Sequence, residues 1–226
     1  MGAGPDIDAM KRAAAEAALR YVRDHALIGV GHGSTAAAFV EALAASGHVL
    51  KAAVAASEAT ARLLREHGVA VVPLAEVREL PVYVDGCDEA DRCLRLLKGV
   101  GGAHTREKLT AMRAALFVCA ADETKLVERL GRGPVAVEVT PHALDAVAEA
   151  LRDLGGDSFV RPGFLTDDGN PVLDVTGLDV GADPAALERE IDAIPGVVDC
   201  GIFALRRADV LLLGTSEGVR TLRYRR

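Results

Sequence analysis

The chain contains no tryptophan, and aromatic residues make up only 4% of its 226 positions. Platforms that stack the bases of single-stranded nucleic acid are therefore not expected. Positive charge is also short: 26 Lys and Arg stand against 33 Asp and Glu, a net charge of −7. That balance argues against a nucleic-acid partner and against attachment to an anionic membrane. It leaves room for a phosphorylated small molecule, which needs only a local pocket of donors. The four cysteines, Cys87, Cys93, Cys119 and Cys200, form no C-x-x-C pair, and a chain able to bury a full core has no need of disulfides. They read as thiols of a reducing compartment, mostly buried as small apolar groups. No run approaches the about eighteen apolar residues of a membrane span. Met1 to Ala9 carries two acids and no apolar stretch of a secretory leader. A cytoplasmic protein is expected.

What is present is a chain that is half apolar, enough for a substantial core. Its first 130 or so residues alternate helix and strand patterns. Helical periodicity over Asp8–Asp24, Thr35–Leu43, Glu58–His67 and Ala103–Arg113 is interleaved with apolar runs. Those runs lie at Leu27–Gly31, Val49–Val54, Val69–Val72, Val82–Val84 and Leu116–Ala120. Such alternation predicts a mainly parallel sheet covered on both faces. Gly131-Arg132-Gly133-Pro134 then breaks the pattern. Strand signals at Val135–Val139, Phe159–Val160, Val172–Val175 (after an Asp168-Gly169 turn) and Val197–Phe203, with helices from Pro141 to Leu154 and from Asp183-Pro184 to about Ile194, give β-α-β-β-α-β, the order of a split βαβ unit. Val210–Leu213 is expected to return to the first sheet. The predicted division is an α/β unit of residues 1–131 and 204–226 carrying a smaller α+β unit, 132–203.

Three segments could carry chemistry. Gly29-Val30-Gly31-His32-Gly33-Ser34-Thr35 joins a strand to a helix; its glycines allow a sharp turn, and N–H groups at a helix start favour an anion. It matches neither the dinucleotide fingerprint nor a P-loop, and an ordinary tight turn explains it equally well. Asp85-Gly86-Cys87-Asp88-Glu89 follows a strand, where open α/β sheets bind ligands. Its acids could hold sugar hydroxyls, move protons or bind a divalent cation, or simply begin a helix. Lys98-Gly99-Val100-Gly101-Gly102 suggests close approach of backbone to ligand, with Glu107 in the first turn of the next helix. Beside Arg106 and Lys108, Glu107 also fits a solvent-facing charge cluster, and Lys125 has the same alternative. His25, His48, His67, His104 and His142 show no ligand spacing and read as surface or helix-end residues.

Taken in order, these motifs resemble the type A ribose-5-phosphate isomerase family. The likeness runs nearly end to end, through Gly29–Ala36, Asp85–Glu89, Lys98–Gly102, Thr105–Lys108, Val137–Val139, Leu165–Asn170, Ile194–Val198 and Gly214–Gly218. The resemblance implies a Rossmann-like sheet domain with a smaller ferredoxin-like α+β lid or oligomerisation domain, assembled as a homodimer or tetramer. It implies interconversion of ribose 5-phosphate and ribulose 5-phosphate, in the non-oxidative pentose phosphate pathway, with neither metal nor organic cofactor. Glu107 is then the base acting between C2 and C1, and Asp85 the acid that helps open the furanose ring. Asp88 and Lys98 handle the sugar oxygens and the developing oxyanion. His32, Gly33, Ser34, Thr35, Lys11 and Lys125, with Gly86, Cys87, Gly99, Val100 and Gly101, supply the remaining substrate contacts. Two positions depart from the family pattern, His32 for Thr and Cys87 for Ala. Two other classes keep the same residues in play: a sugar-phosphate-binding regulator without catalysis, and a metal-dependent phosphatase or epimerase using Asp85, Asp88 and Glu89.

Overall fold

A computed structural model describes residues 6–224; part of the N-terminal stretch read as lacking a leader lies outside them. Asp6 caps the first helix by accepting from the Ala9 N–H, and α1 (Ile7–Ala18) buries Met10, Ala14, Ala15 and Ala18. It gives way to a 3₁₀ turn at Leu19, before the end expected at Asp24. There follow β1 (Leu27–Val30), α2 (Ser34–Ala45), β2 (Ala52–Ala55), α3 (Glu58–Glu66) and β3 (Val82–Asp85). Two short strands, β4 (Glu89–Ala90) and β5 (Leu96–Leu97), precede α4 (His104–Arg113) and β6 (Phe117–Asp122). The chain continues through β7 (Val135–Val139), α5 (Leu144–Asp153), β8 (Asp157–Val160), β9 (Val172–Thr176), α6 (Pro184–Asp192) and β10 (Val197–Cys200). It closes with β11 (Ile202–Phe203), β12 (Val210–Thr215) and β13 (Gly218–Arg223).

The main sheet has the order β13-β12-β6-β3-β1-β2, parallel except for the β13 edge. Its strands alternate as a sheet covered on both faces requires. Val82, Val84, Val118, Ala120, Val210 and Leu212 pack with α1 and α2, whereas Tyr83, Phe117, Cys119, Leu211 and Leu213 pack toward Leu80, Leu94 and Ala111. A second, antiparallel sheet has the order β10-β7-β9-β8 and shares a core with α5 and α6. That is the ferredoxin-like order of the predicted split βαβ unit. Among the described residues, no helix is long and apolar enough to cross a membrane.

Several elements differ from expectation. The strand predicted at Val49–Val54 begins only at Ala52, and Val69–Val72 contributes a single bridge, Val71 to Ala53. The helix expected from Pro141 opens as a 3₁₀ turn and becomes α-helical at Leu144. The run Val197–Phe203 is not one strand. It breaks at Gly201, whose N–H donates to Ala136 O while its carbonyl accepts from Lys98 N. A Cβ at Gly201 would stand 2.1 Å from the Lys98 carbonyl oxygen, so only glycine permits this crossing. Beyond it β11 joins β5 and β4 in a third small sheet, a long-range pairing that local periodicity does not register. Of the cysteines, Cys119 and Cys200 are buried, Cys87 is half-buried and Cys93 is exposed.

Candidate active site

The loops following β1, β3 and β6 all leave the carboxyl end of the main sheet. The chain turns from β1 to β2 on one side and crosses back to β3 on the other, so the β1/β3 boundary is a topological switch point, where α/β sheets bind ligands. A cavity of about 250 Å³ opens there. Each candidate residue except Asp85 lines it, and Ala103 completes the wall. A larger cavity, about 630 Å³, lies elsewhere on α4 among Val71, Val72, Pro73, Leu74 and Leu109, and holds none of them.

One wall gathers a helix N-terminus and two lysines. Gly33 caps α2, so Ser34 and Thr35 sit in its first turn, and Lys11 of α1 and Lys125 of the 3₁₀ turn after β6 add positive charge. Asp88, Lys98 and Glu107 form the rest. The Lys98 ammonium lies 2.9 Å from Asp85 Oδ2 and 3.2 Å from Glu107 Oε2, and donates to the Gly86 carbonyl at 2.6 Å. Glu107 is 4% exposed. Burial, reinforced by the Asp85 charge and opposed by Lys98, pushes its carboxyl up to about 8. Burial works against the Lys98 cation, but Asp85 and Glu107 outweigh it and hold its pKa above the ordinary lysine range.

Asp85 departs from expectation. It is fully buried beneath the cavity and accepts from Tyr83 OH, the Gly86 N–H (2.7 Å), the His32 N–H (3.1 Å) and Lys98. A Cβ at Gly31 would fall 1.8 Å from its Oδ1, which explains that glycine. Asp88 accepts from the Val100 N–H at 3.0 Å. The His32 ring does not turn to solvent: its Nδ1 is 2.9 Å from Ser57 Oγ, and its other edge packs over Gly101.

A family model described as ribose 5-phosphate isomerase A (phosphoriboisomerase A) matches residues 52–218. Ribose-5-phosphate isomerase A of Bordetella bronchiseptica is 52% identical over 220 residues, covering 96% of this chain and 97% of that protein. The chain belongs to the ribose 5-phosphate isomerase A family. Among solved structures, the Neisseria gonorrhoeae ribose 5-phosphate isomerase A superposes with a TM-score of 0.94 at 44% identity, covering 97% of this chain and 98% of that one. A ribose-5-phosphate isomerase in complex with phospho-erythronic acid gives 0.92 at 37% identity, with 96% and 99% covered.

Within this isomerase-family fold, several residues that hold the site were not among the candidates. Tyr83 supports Asp85 from below. Glu138 of β7, buried, accepts from Thr105 Oγ1 at 2.5 Å, Thr166 Oγ1 at 2.9 Å and Asn170 Nδ2 at 2.8 Å, tying α4 to the second sheet. His104, expected at the surface or a helix end, starts α4 but is wholly buried, and burial beside Lys108 pushes its pKa down to about 3. Only the motif Val137–Val139 hinted at Glu138; nothing local marks the other two.

Proposed function

We propose that the chain interconverts D-ribose 5-phosphate and D-ribulose 5-phosphate, with Glu107 as the base. The observation that carries this is a buried carboxylate, its pKa near 8, beside a fixed cation in a cavity whose other wall suits a phosphate. In the open-chain aldose, Glu107 takes the C2 proton. The C–H electron pair forms the C1–C2 double bond of an enediolate, and the carbonyl pair moves to O1. Glu107 then returns the proton to C1, while a hydroxyl proton passes from O2 to O1 with Asp88 as carrier. Lys98 and the Gly101 N–H stabilise the negative oxygen. Asp85, having no surface on the cavity, acts here by fixing Lys98; opening of the furanose ring falls to Asp88.

The chemistry calls for neither metal nor organic cofactor. Activity is expected to persist unchanged in EDTA, measured by ribulose 5-phosphate formation; loss on chelation and return with a divalent ion would move Asp88 and Glu89 to a metal site. The phosphate wall predicts a strong preference for the phosphorylated sugar. Free ribose should show kcat/KM lower by at least about 100-fold, because remote binding energy holds the reacting carbons in place. Similar values for the two sugars would overturn the assignment of Ser34, Thr35, Lys11 and Lys125. The scheme is completed by a catalytic domain of residues 1–131 and 204–226, a smaller domain of 132–203, and a homodimer or tetramer in the cytoplasm. Sedimentation velocity tests the assembly.

A further inference from the structure

Directly after β8, on the second sheet, Arg161 reaches the back of the loop that lines the cavity. Its Nη2 donates to the Gly99 carbonyl and its Nη1 to the Val100 carbonyl, each at 3.1 Å. The guanidinium is itself fixed by Asp174 of β9, with Nη2–Oδ1 at 2.5 Å and Nε–Oδ2 at 2.9 Å, and it stacks over Phe164. Phe164 in turn covers Gly102, where a Cβ would fall 2.2 Å from the ring. Arg161 has no place in the cavity lining.

In a trans peptide the C=O and N–H point in opposite directions. Holding the Gly99 carbonyl from behind therefore aims the Val100 N–H forward, where it meets Asp88 Oδ2. Holding the Val100 carbonyl does the same for the Gly101 N–H, which has no protein acceptor among the described residues and belongs to a cavity-lining residue. Gly99 takes φ +115°, which glycine reaches freely, and the Gly102 N–H also donates to its carbonyl at 2.9 Å; Arg161 therefore reinforces that turn at Gly99 and holds the Val100 carbonyl beyond it. Two carbonyls a residue apart suit the planar fork of a guanidinium, which a lysine ammonium cannot reproduce.

We infer that Arg161 is a positioning residue for the isomerisation: from outside the cavity it sets the peptide orientations that orient Asp88 and present the Gly101 N–H to a substrate oxygen. This rests on assigning the cavity as the reaction site. The N–H groups act on charge that grows during reaction, so their misdirection falls on kcat rather than on substrate binding.

The experiment is steady-state kinetics on ribose 5-phosphate for folded Arg161→Met, Arg161→Lys and Arg161→Ala, with Glu107→Gln alongside. Arg161→Met is expected to lose about 10- to 100-fold in kcat with KM within about threefold, and Arg161→Lys to lose nearly as much. Added methylguanidinium should restore part of the Arg161→Ala activity, which a purely architectural role would not allow. The proposal is overturned by a folded Arg161→Met within about twofold of the parent in kcat, by a rise in KM alone, or by a loss that methylguanidinium leaves in place. Retained activity in Glu107→Gln would instead remove the cavity assignment beneath it.

Discussion

Replacing Glu107 by Gln is expected to lower kcat for ribose 5-phosphate by about 10²–10⁴-fold, the usual contribution of a general base, with KM little changed. The amide keeps the shape of the side chain but cannot take the C2 proton. In the parent, kcat/KM should climb as pH rises through about 8, because only the carboxylate is competent and burial keeps it protonated below that value. Stability should run the other way. A folded-state pKa above the ordinary 4.5 means the folded chain binds this proton more tightly than the unfolded chain does. The stability it contributes is complete below about 4.5 and is lost as pH rises through about 8. Glu107→Gln should therefore gain on the parent in urea midpoint from acid to alkaline pH while losing catalysis. A variant within about tenfold of the parent in kcat would show that the base lies elsewhere.

Lys98→Met should be costly in both activity and stability. Among the described residues the lysine is the one cation that touches both Asp85 and Glu107; its removal strands the buried Asp85 charge and leaves Glu107 without a cation when it ionises. Breaking a buried ion pair by deleting one partner typically costs about 3–5 kcal/mol. The other donors to Asp85, from Tyr83, Gly86 and His32, place the expectation at the lower end of that range. Loss of a fixed positive charge at the growing oxyanion should reduce kcat by about 10²–10³-fold. The pH profile supplies an independent arm. Without Lys98 the cation that opposes burial at Glu107 is gone, so the rise of kcat/KM should move to higher pH than in the parent. Urea unfolding and a pH series of initial rates measure all three effects. Parent-like stability with an unmoved profile would mean that Lys98 and Glu107 do not interact as drawn.

The parts of the site carried by short, contiguous motifs were readable from sequence. Gly29–Thr35 and Asp85–Asp88 follow strands of a parallel sheet, so their position at its carboxyl end followed from the alternation of elements. Helix α4 was not readable in the same way. It buries His104, Thr105, Glu107 and Lys108 and leaves Leu109 and Met112 exposed, the reverse of the usual apolar-in pattern. The inversion holds because its partners are polar and distant in sequence: Asp199 and Glu188 lie 2.6 Å and 3.0 Å from the Lys108 ammonium, and Glu138 receives Thr105. No local window contains those partners. For the same reason a charge cluster fitted Glu107 as well as a buried base did until the fold was seen. The break at Gly201 and the reach of Arg161 to the 99–100 carbonyls are likewise tertiary facts, carried by one glycine and one arginine with no motif around them.

The placement of β12 has a consequence for how the molecule is made. This strand does not extend the main sheet at its rim; it lies between β6 and the final hairpin partner β13, pairing Val118 with Val210. While a ribosome is still translating residues 123–209, β6 is paired with β3 on one edge only, and the row of backbone groups that will meet β12 has no neighbour in the sheet. The four-stranded unit, whose strands all fall between residues 135 and 200, has its strands in hand before the sheet it interrupts is complete. Nascent chains of this protein thus carry an open parallel edge until the last stretch emerges, the kind of exposure that folds slowly and invites chaperone capture.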